Sequence, residues 1–272
     1  MSTLLVGDVA GHLSALDSVL KPFGVSVTDG HVPEGVVVVQ VGDLVGRSSE
    51  SEQLVRTVDR IRRQTPDRWV QLAGNHEMHH LGGHQFQGTV ELSPAIVEIL
   101  TSWLHDGWLR IAHDLNAGTR GTLVTHAGLT RATWLELGSP LTAREAAATL
   151  QDGCAPTSSR WELVNQPGRM LSLGRFPLDN PAAGPIWAEA TYELLTDWIE
   201  HGDLPFGQVH GHSSSYDWFR GRYRNPAMRS HSRIDREARH VIVSVADGRS
   251  ITGIDPGFGR DAHDWWAPLV LD

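Results

Sequence analysis

The sequence predicts an α/β protein, and three observations predict it. Short apolar runs alternate with amphipathic helical stretches. Those runs end in glycine-flanked polar residues. Composition supports a large core, with 272 residues, 40% hydrophobic and 20% charged. Leu4–Val6 is the first run and ends at Gly7-Asp8. A helix follows, with Leu13, Leu16, Val19 and Leu20 on one face. Val36–Val41 is a β-branched run that ends at Gly42-Asp43, and Leu54, Val55, Val58 and Ile61 mark the next helix. Trp69–Leu72 ends at Gly74-Asn75-His76-Glu77, Leu123–Thr125 at His126-Ala127-Gly128, and Gly207–Val209 at His210-Gly211-His212. Further helices are expected over Ser93–His105, which has a Ser-Pro start, over Leu141–Leu150, and over Ala188–Glu200. Val241–Val245 and Ser250–Ile254 read as a hairpin joined across Ala246-Asp247-Gly248-Arg249. Gly153–Pro185, rich in Pro, Gly and Ser, reads as an irregular rim or lid. No repeat or linker is visible, so residues 1–272 are expected to form one domain.

The formal net charge of −9 argues against a protein that coats nucleic acid. No apolar run approaches the roughly 18–20 residues of a membrane span. The first residues lack the basic and long apolar segments of a signal peptide, so a cytoplasmic protein is expected. The single Cys154 fits a reducing compartment and excludes a cysteine-based zinc site. The 15 histidines sit largely in short clusters beside glycine, acid or asparagine, which suggests metal chemistry.

In sheets of this class, ligands gather beyond the carboxyl ends of the strands. The strand-end residues, in order, are Asp8, Asp43, Asn75, His76, His126 and His212. Oxygen and imidazole donors of this mix suit Mn, Fe, Zn, Ni or Co. They exceed the needs of one tetrahedral ion and suit two that share a carboxylate, with Asp43 the natural bridge. Such a pair can hold a hydroxide and clamp a phosphoryl group.

Gly7-Asp8-Val9-Ala10-Gly11-His12, Gly42-Asp43-Leu44-Val45-Gly46-Arg47, Gly74-Asn75-His76-Glu77, His126-Ala127-Gly128 and Gly211-His212-Ser213 resemble the ordered motifs of calcineurin-like metallophosphoesterases. The branch they look most like is that of the serine/threonine protein phosphatases and the diadenosine-tetraphosphatase-like enzymes. The resemblance implies two mixed β-sheets packed as a sandwich and flanked by helices. It implies that Asp8 binds a first metal, that Asp43 bridges two, and that Asn75, His126 and His212 bind the second. It places His76 by the leaving group, as general acid or charge stabiliser, and Arg47 on the phosphate oxygens. The activity implied is metal-dependent hydrolysis of a phosphate monoester or phosphoanhydride through a metal-bound hydroxide. The substrate would be a phosphorylated small molecule, a nucleotide or a phosphoprotein.

The chain departs from that pattern at three positions. The histidine expected in the first motif is Ala10. The aspartate expected before the arginine of the second is Gly46. A segment resembling Gly184-Pro185-Ile186-Trp187-Ala188-Glu189 ends in related phosphatases with an arginine, here Glu189. On one reading the pocket is rebuilt, and Glu189 supplies a carboxylate near the place Ala10 vacates. On the other, the first metal is lost and the protein is a degenerate, weak family member that binds a metal or a phosphorylated ligand in regulation. His210 reads as structural and His12 as helix-start packing. The His79, His80 and His84 group reads as a solvated loop. Arg220, Arg222 and Arg224, interleaved with Trp218, Phe219 and Tyr223, read as a solvated alternating strand or as an anion-binding rim.

Overall fold

The computed structural model describes residues 2–82, 86–153, 172–174, 180–246, 248–258 and 266–271. In chain order, β1 (Ser2–Val6) leads through α1 (Leu13–Leu20) to β2 (Val36–Gln40), and through α2 (Ser51–Gln64) to β3 (Trp69–Leu72). Next come α3 (Asn75–His80), α4 (Pro94–His105), β4 (Leu109–Arg110), β5 (Ala112–Leu115), β6 (Thr122–Thr125), α5 (Arg131–Glu136) and α6 (Ala143–Gly153). A π-helical turn (Ala190–Leu195) then runs into α7 (Thr196–His201). They are followed by β7 (Gly207–His210), the pair β8 (Tyr216–Asp217) and β9 (Arg222–Tyr223), β10 (Ser232–Asp235), β11 (His240–Ala246), β12 (Arg249–Gly253) and β13 (Leu269–Leu271).

Two mixed sheets result. One has the order β13-β1-β2-β3-β4, parallel except for β13. The other has the order β10-β11-β12-β7-β6-β5, with β12, β7 and β6 parallel and antiparallel partners on either side. The expected two-sheet α/β architecture is therefore present, and so is the β11–β12 hairpin.

Alternation along the strands builds the two faces. Leu5, Val39, Val41 and Leu72 meet Val124, Val209 and Ile254 between the sheets. Leu4, Val6, Val38 and Trp69 turn the other way, into a core shared with Leu16, Leu20, Leu54 and Val58 of the helices. Each such side chain contributes about 1.5–3 kcal/mol on burial. Pro94 opens α4 where its missing N–H costs nothing. That helix buries Ile96, Leu100, Trp103 and Leu104, and the Trp103 indole donates to Asp59 of α2 at 2.9 Å.

The helix expected over 188–200 is instead a π turn followed by α7. The turn's wider hydrogen-bonding lets the Glu189 carboxylate accept from the N–H groups of Thr191 and Tyr192 at 3.0 and 2.8 Å, with Thr196 Oγ1 on Thr191 O. Most of the irregular segment expected over 153–185 lies outside the described residues, as do Cys154 and His84. Of its described part, Ala183 packs on Ala127 and Ala188, beside the end of β6. No helix among the described residues is long and apolar enough to cross a membrane.

Candidate metal centre

The turns after β1, β2, β3, β6 and β7 converge, and their glycines allow it. A Cβ on Gly211 would lie 2.0 Å from Asp8 Oδ1, and one on Gly74 would lie 2.1 Å from Asp43 Oδ1. Only hydrogen fits at either place. Ala10, Asp43 and His212 hold φ of 49°, 54° and 61°, a left-handed backbone that costs a non-glycine residue of the order of 1 kcal/mol or more. Such strain concentrates where side chains must be aimed.

The aim is mutual. His126 Nδ1 donates to Val41 O at 3.1 Å, which leaves the Nε2 lone pair facing inward. That Nε2 lies 3.2 Å from Asn75 Oδ1, 3.2 Å from His212 Nδ1 and 3.4 Å from Asp43 Oδ1. His212 Nδ1 is also 3.2 Å from Asn75 Oδ1. Asp43, His126 and His212 each offer one donor atom within 4.8 Å of the others. The Asn75 amide oxygen thus faces acceptors, an arrangement that a cation among them satisfies. With the amide turned over, its nitrogen would donate to His126, His212 and Asp43, all at 3.2–3.3 Å. One carboxylate, one amide oxygen and two imidazoles form a donor set that fits a borderline divalent ion.

Burial shapes the electrostatics. It pushes the His212 imidazole down to about 3, helped by His126, and lowers His126 as well, so both stay neutral and able to ligate. Burial alone would raise the Asp43 carboxyl, but attraction to His126, His76 and His212 in their protonated forms outweighs it and brings it below the ordinary range. Asp8 goes the other way. Burial raises it well above that range, and the carboxylates of Asp255 and Asp43 add to the rise, against the His212 N–H donated at 2.9 Å.

Asp8, Asp43, Asn75, His76, His126 and His212 are therefore brought together as the strand ends implied. Glu189 is placed differently, because its carboxylate is turned onto the N–H groups of the π turn. A buried carboxylate whose charge acts on Asp8 and Asp43 is Asp255, just beyond β12, raised by burial to about 6. The backbone of Ile254 and the ring of Pro256 press on Gly7, where a Cβ would lie 2.0 Å from Ile254 O, and this seats Asp255 next to the first motif. The signal for it was in the sequence. Ser250–Ile254 is another strand that ends at an acid, Asp255, with Gly253 and Gly257 two residues to either side.

Glu77 is a second residue whose role sequence reasoning left unassigned. It is buried and accepts from the N–H groups of Asp43 (2.8 Å), Gly74 (2.7 Å) and Val45 (2.9 Å), which locks the second motif to the third. His76 is buried beside them, with Nε2 3.9 Å from Asp43 Oδ2. Its Nδ1 is buried without a hydrogen-bond partner among the described residues, and Phe86 meets the ring edge-on at 4.9 Å. Burial lowers its pKa, with Asp43 opposing and Arg47 assisting. Arg47 is exposed at the rim, where its charge is felt by both His76 and Asp255. His12 packs on Phe258, and His210 Nδ1 donates to Gly211 O at 2.9 Å.

The sequence matches the family model for calcineurin-like phosphoesterases over residues 1–244. Among solved structures it is similar to the crystal structure of the cold-active protein-tyrosine phosphatase of a psychrophilic Shewanella. That match has a TM-score of 0.54 and 18% identity, and covers 93% of this chain and 77% of that one. A second structure of a cold-active protein tyrosine phosphatase gives a TM-score of 0.52 and 16% identity, over 94% and 70%. These likenesses show the fold. No curated protein matches the chain.

Proposed function

The chain belongs to the calcineurin-like phosphoesterase family, hydrolases acting on phosphoric esters, and within it we propose that this protein hydrolyses a phosphate monoester or phosphoanhydride. The observation that carries the reading is the convergence of Asp43 Oδ1, Asn75 Oδ1, His126 Nε2 and His212 Nδ1. These four would hold one divalent ion from the Mn, Fe, Zn, Ni and Co group. Asp8, Asp43 and Asp255 would hold a second, with Asp255 standing in for the histidine that Ala10 replaces. When bound, such ions activate the attacking water and neutralise the phosphoryl oxygens.

The chain's own groups supply the rest. Arg47, exposed at the rim, presents a planar fork to the phosphoryl oxygens. His76 stays neutral near pH 7 because burial lowers its pKa. A buried N–H without a partner costs about 1–3 kcal/mol. In this reading the ring carries its proton on Nε2, which faces Asp43 Oδ2 at 3.9 Å, since Nδ1 has no hydrogen-bond partner among the described residues. From there it donates a hydrogen bond to the leaving oxygen. The substrate is a small phosphorylated molecule, a nucleotide or a phosphoprotein.

The unpartnered Nδ1 favours a second reading, in which turnover is weak and ligand binding is the retained property. Hydrolysis of p-nitrophenyl phosphate and bis-p-nitrophenyl phosphate by the Mn-loaded protein separates the possibilities. The proposal expects the monoester to be turned over faster. Turnover of the diester alone would overturn it, and no turnover of either would leave the binding module.

A further inference from the structure

Beside the metal centre runs a groove of about 990 Å³ whose walls hold five arginines and two carboxylates. We propose that it binds the trailing phosphates of a linear polyphosphate ester or anhydride whose terminal phosphoryl group occupies the metal centre. The inference rests on the phosphoesterase reading above and names its substrate class.

Hydrogen bonds tie the groove's lining to the segment that follows His212. Ala190, next to the lining residue Glu189, donates its N–H to Ser213 Oγ at 3.0 Å, and Ser213 follows His212. The lining residue Arg224 donates from Nε to Ser214 O at 2.8 Å, and its charge reaches Asp255. Some of the arginines are fixed in advance. Arg224 is held by Ser214 O, and Arg236 donates to Tyr216 Oη at 2.9 Å with its guanidinium 5.7 Å from that ring. Arg220 is paired with Asp217 at 3.2 Å. Arg222 and Arg229 also line the groove, and no carboxylate pairs with either among the described residues.

In a chain of net charge −9 this is a local reversal of sign, and gathering five guanidinium groups in one concavity is unfavourable until an anion fills it. A volume near 990 Å³ suits a ligand far larger than one phosphate. The donor balance selects the kind of anion. Arginine has five N–H donors and no acceptor. Both carboxylates are already engaged, Glu189 on backbone N–H groups and Asp217 on Arg220. An acidic peptide would bring backbone N–H groups that find no free carboxylate here. A polyphosphate chain brings acceptors alone, and guanidinium forks match its oxygens.

The test is calorimetric titration of the full-length, metal-free protein with inorganic tripolyphosphate in the presence of chelator. Wild type is compared with Arg222→Ala and Arg229→Ala. Both arginine substitutions are at exposed positions, so folding should survive, and circular dichroism checks that. The expected result is weakening by about tenfold or more in each arginine variant, as for loss of a charge-assisted hydrogen bond. Equal affinity for ATP and tripolyphosphate identifies the phosphate chain itself as the ligand. Tighter ATP binding identifies a nucleotide, and either supports the groove. Wild-type affinity in both arginine variants, or binding of an acidic phosphopeptide but not of tripolyphosphate, overturns it. Failure of the phosphoesterase reading would instead appear as no metal-stimulated turnover of p-nitrophenyl phosphate while tripolyphosphate still binds wild type and loses affinity in the arginine variants.

Discussion

Ala10 occupies the space that a side chain on Gly46 would need. A Cβ at position 46 would lie 2.9 Å from Ala10 Cα and 3.3 Å from Ala10 Cβ. The N–H groups of Arg47 and Ser48 both donate to Ala10 O, at 2.9 and 3.0 Å, and Ala10 N–H donates to Asp43 O at 2.8 Å. The two departures from the family pattern are thus one packing arrangement, in which the first and second motif loops close on each other. Restoring the family's aspartate, by Gly46→Asp, should destabilise the fold by about 1–3 kcal/mol through overpacking. A urea unfolding curve reads this directly, and an unchanged midpoint would show that the loops can part.

Asp255 should matter for metal binding. Asp255→Asn keeps the size of the side chain and removes the charge beside Asp8 and Asp43. The expected outcome is loss of about one equivalent of bound metal and weaker binding, about tenfold or more, by analogy with loss of groups that support a metal site. Elemental analysis after loading and desalting measures it. Glu189→Gln should leave the metal content as it is in wild type, because that carboxylate faces the π turn.

Phe86 is packed edge-on against His76, whose motif partner at position 46 is glycine. Phe86→Ala removes the edge contact at 4.9 Å and a further one to Trp187 at 5.8 Å. A loosened ring is expected to lower kcat by about tenfold or more while KM and metal content stay near wild type. A change confined to KM would instead assign Phe86 to substrate binding.

The acid limb of stability has a legible contributor away from the centre. His240 is buried in β11 with Nε2 on Ala267 O at 2.9 Å, and burial lowers its pKa below 6.5. Its folded pKa is depressed, so the unfolded chain takes up a proton first as pH falls. Its contribution is fully present above pH 6.5 and is lost progressively as pH drops toward the folded value. His240→Gln should flatten that part of the stability–pH curve in chemical denaturation, and an unchanged slope would exclude His240 as its source.

Much of this was legible in the sequence because the site residues obey a local rule: an apolar strand, then a glycine, then a donor. Asp8, Asp43, Asn75 and His212 each follow a glycine, and β1, β2, β3, β6 and β7 all formed where short strand-like runs indicated. What was harder to read depends on pairing at long range. Asp255 reaches Asp8 only because β12 runs parallel to β7 in the second sheet and its end presses on Gly7. The assignment of the vacant position to Glu189 came from a segment likeness, which carries no information about where the carboxylate points. The short strands β4, β8 and β9, two residues each, have no periodicity to detect. The groove arginines were visible as a motif, but only the fold brings Arg229 and Arg236 to the same wall as Arg222 and Arg224.

The most direct test of the metal centre is elemental analysis of wild type and Asp43→Asn after manganese loading and desalting, with p-nitrophenyl phosphate turnover recorded on the same samples. Asp43 touches His126 at 3.4 Å and His76 at 3.9 Å and is the carboxylate common to both proposed ion positions. The account predicts retained metal and metal-stimulated turnover in wild type, with both lost in the variant. Wild-type metal content and turnover in Asp43→Asn would contradict it.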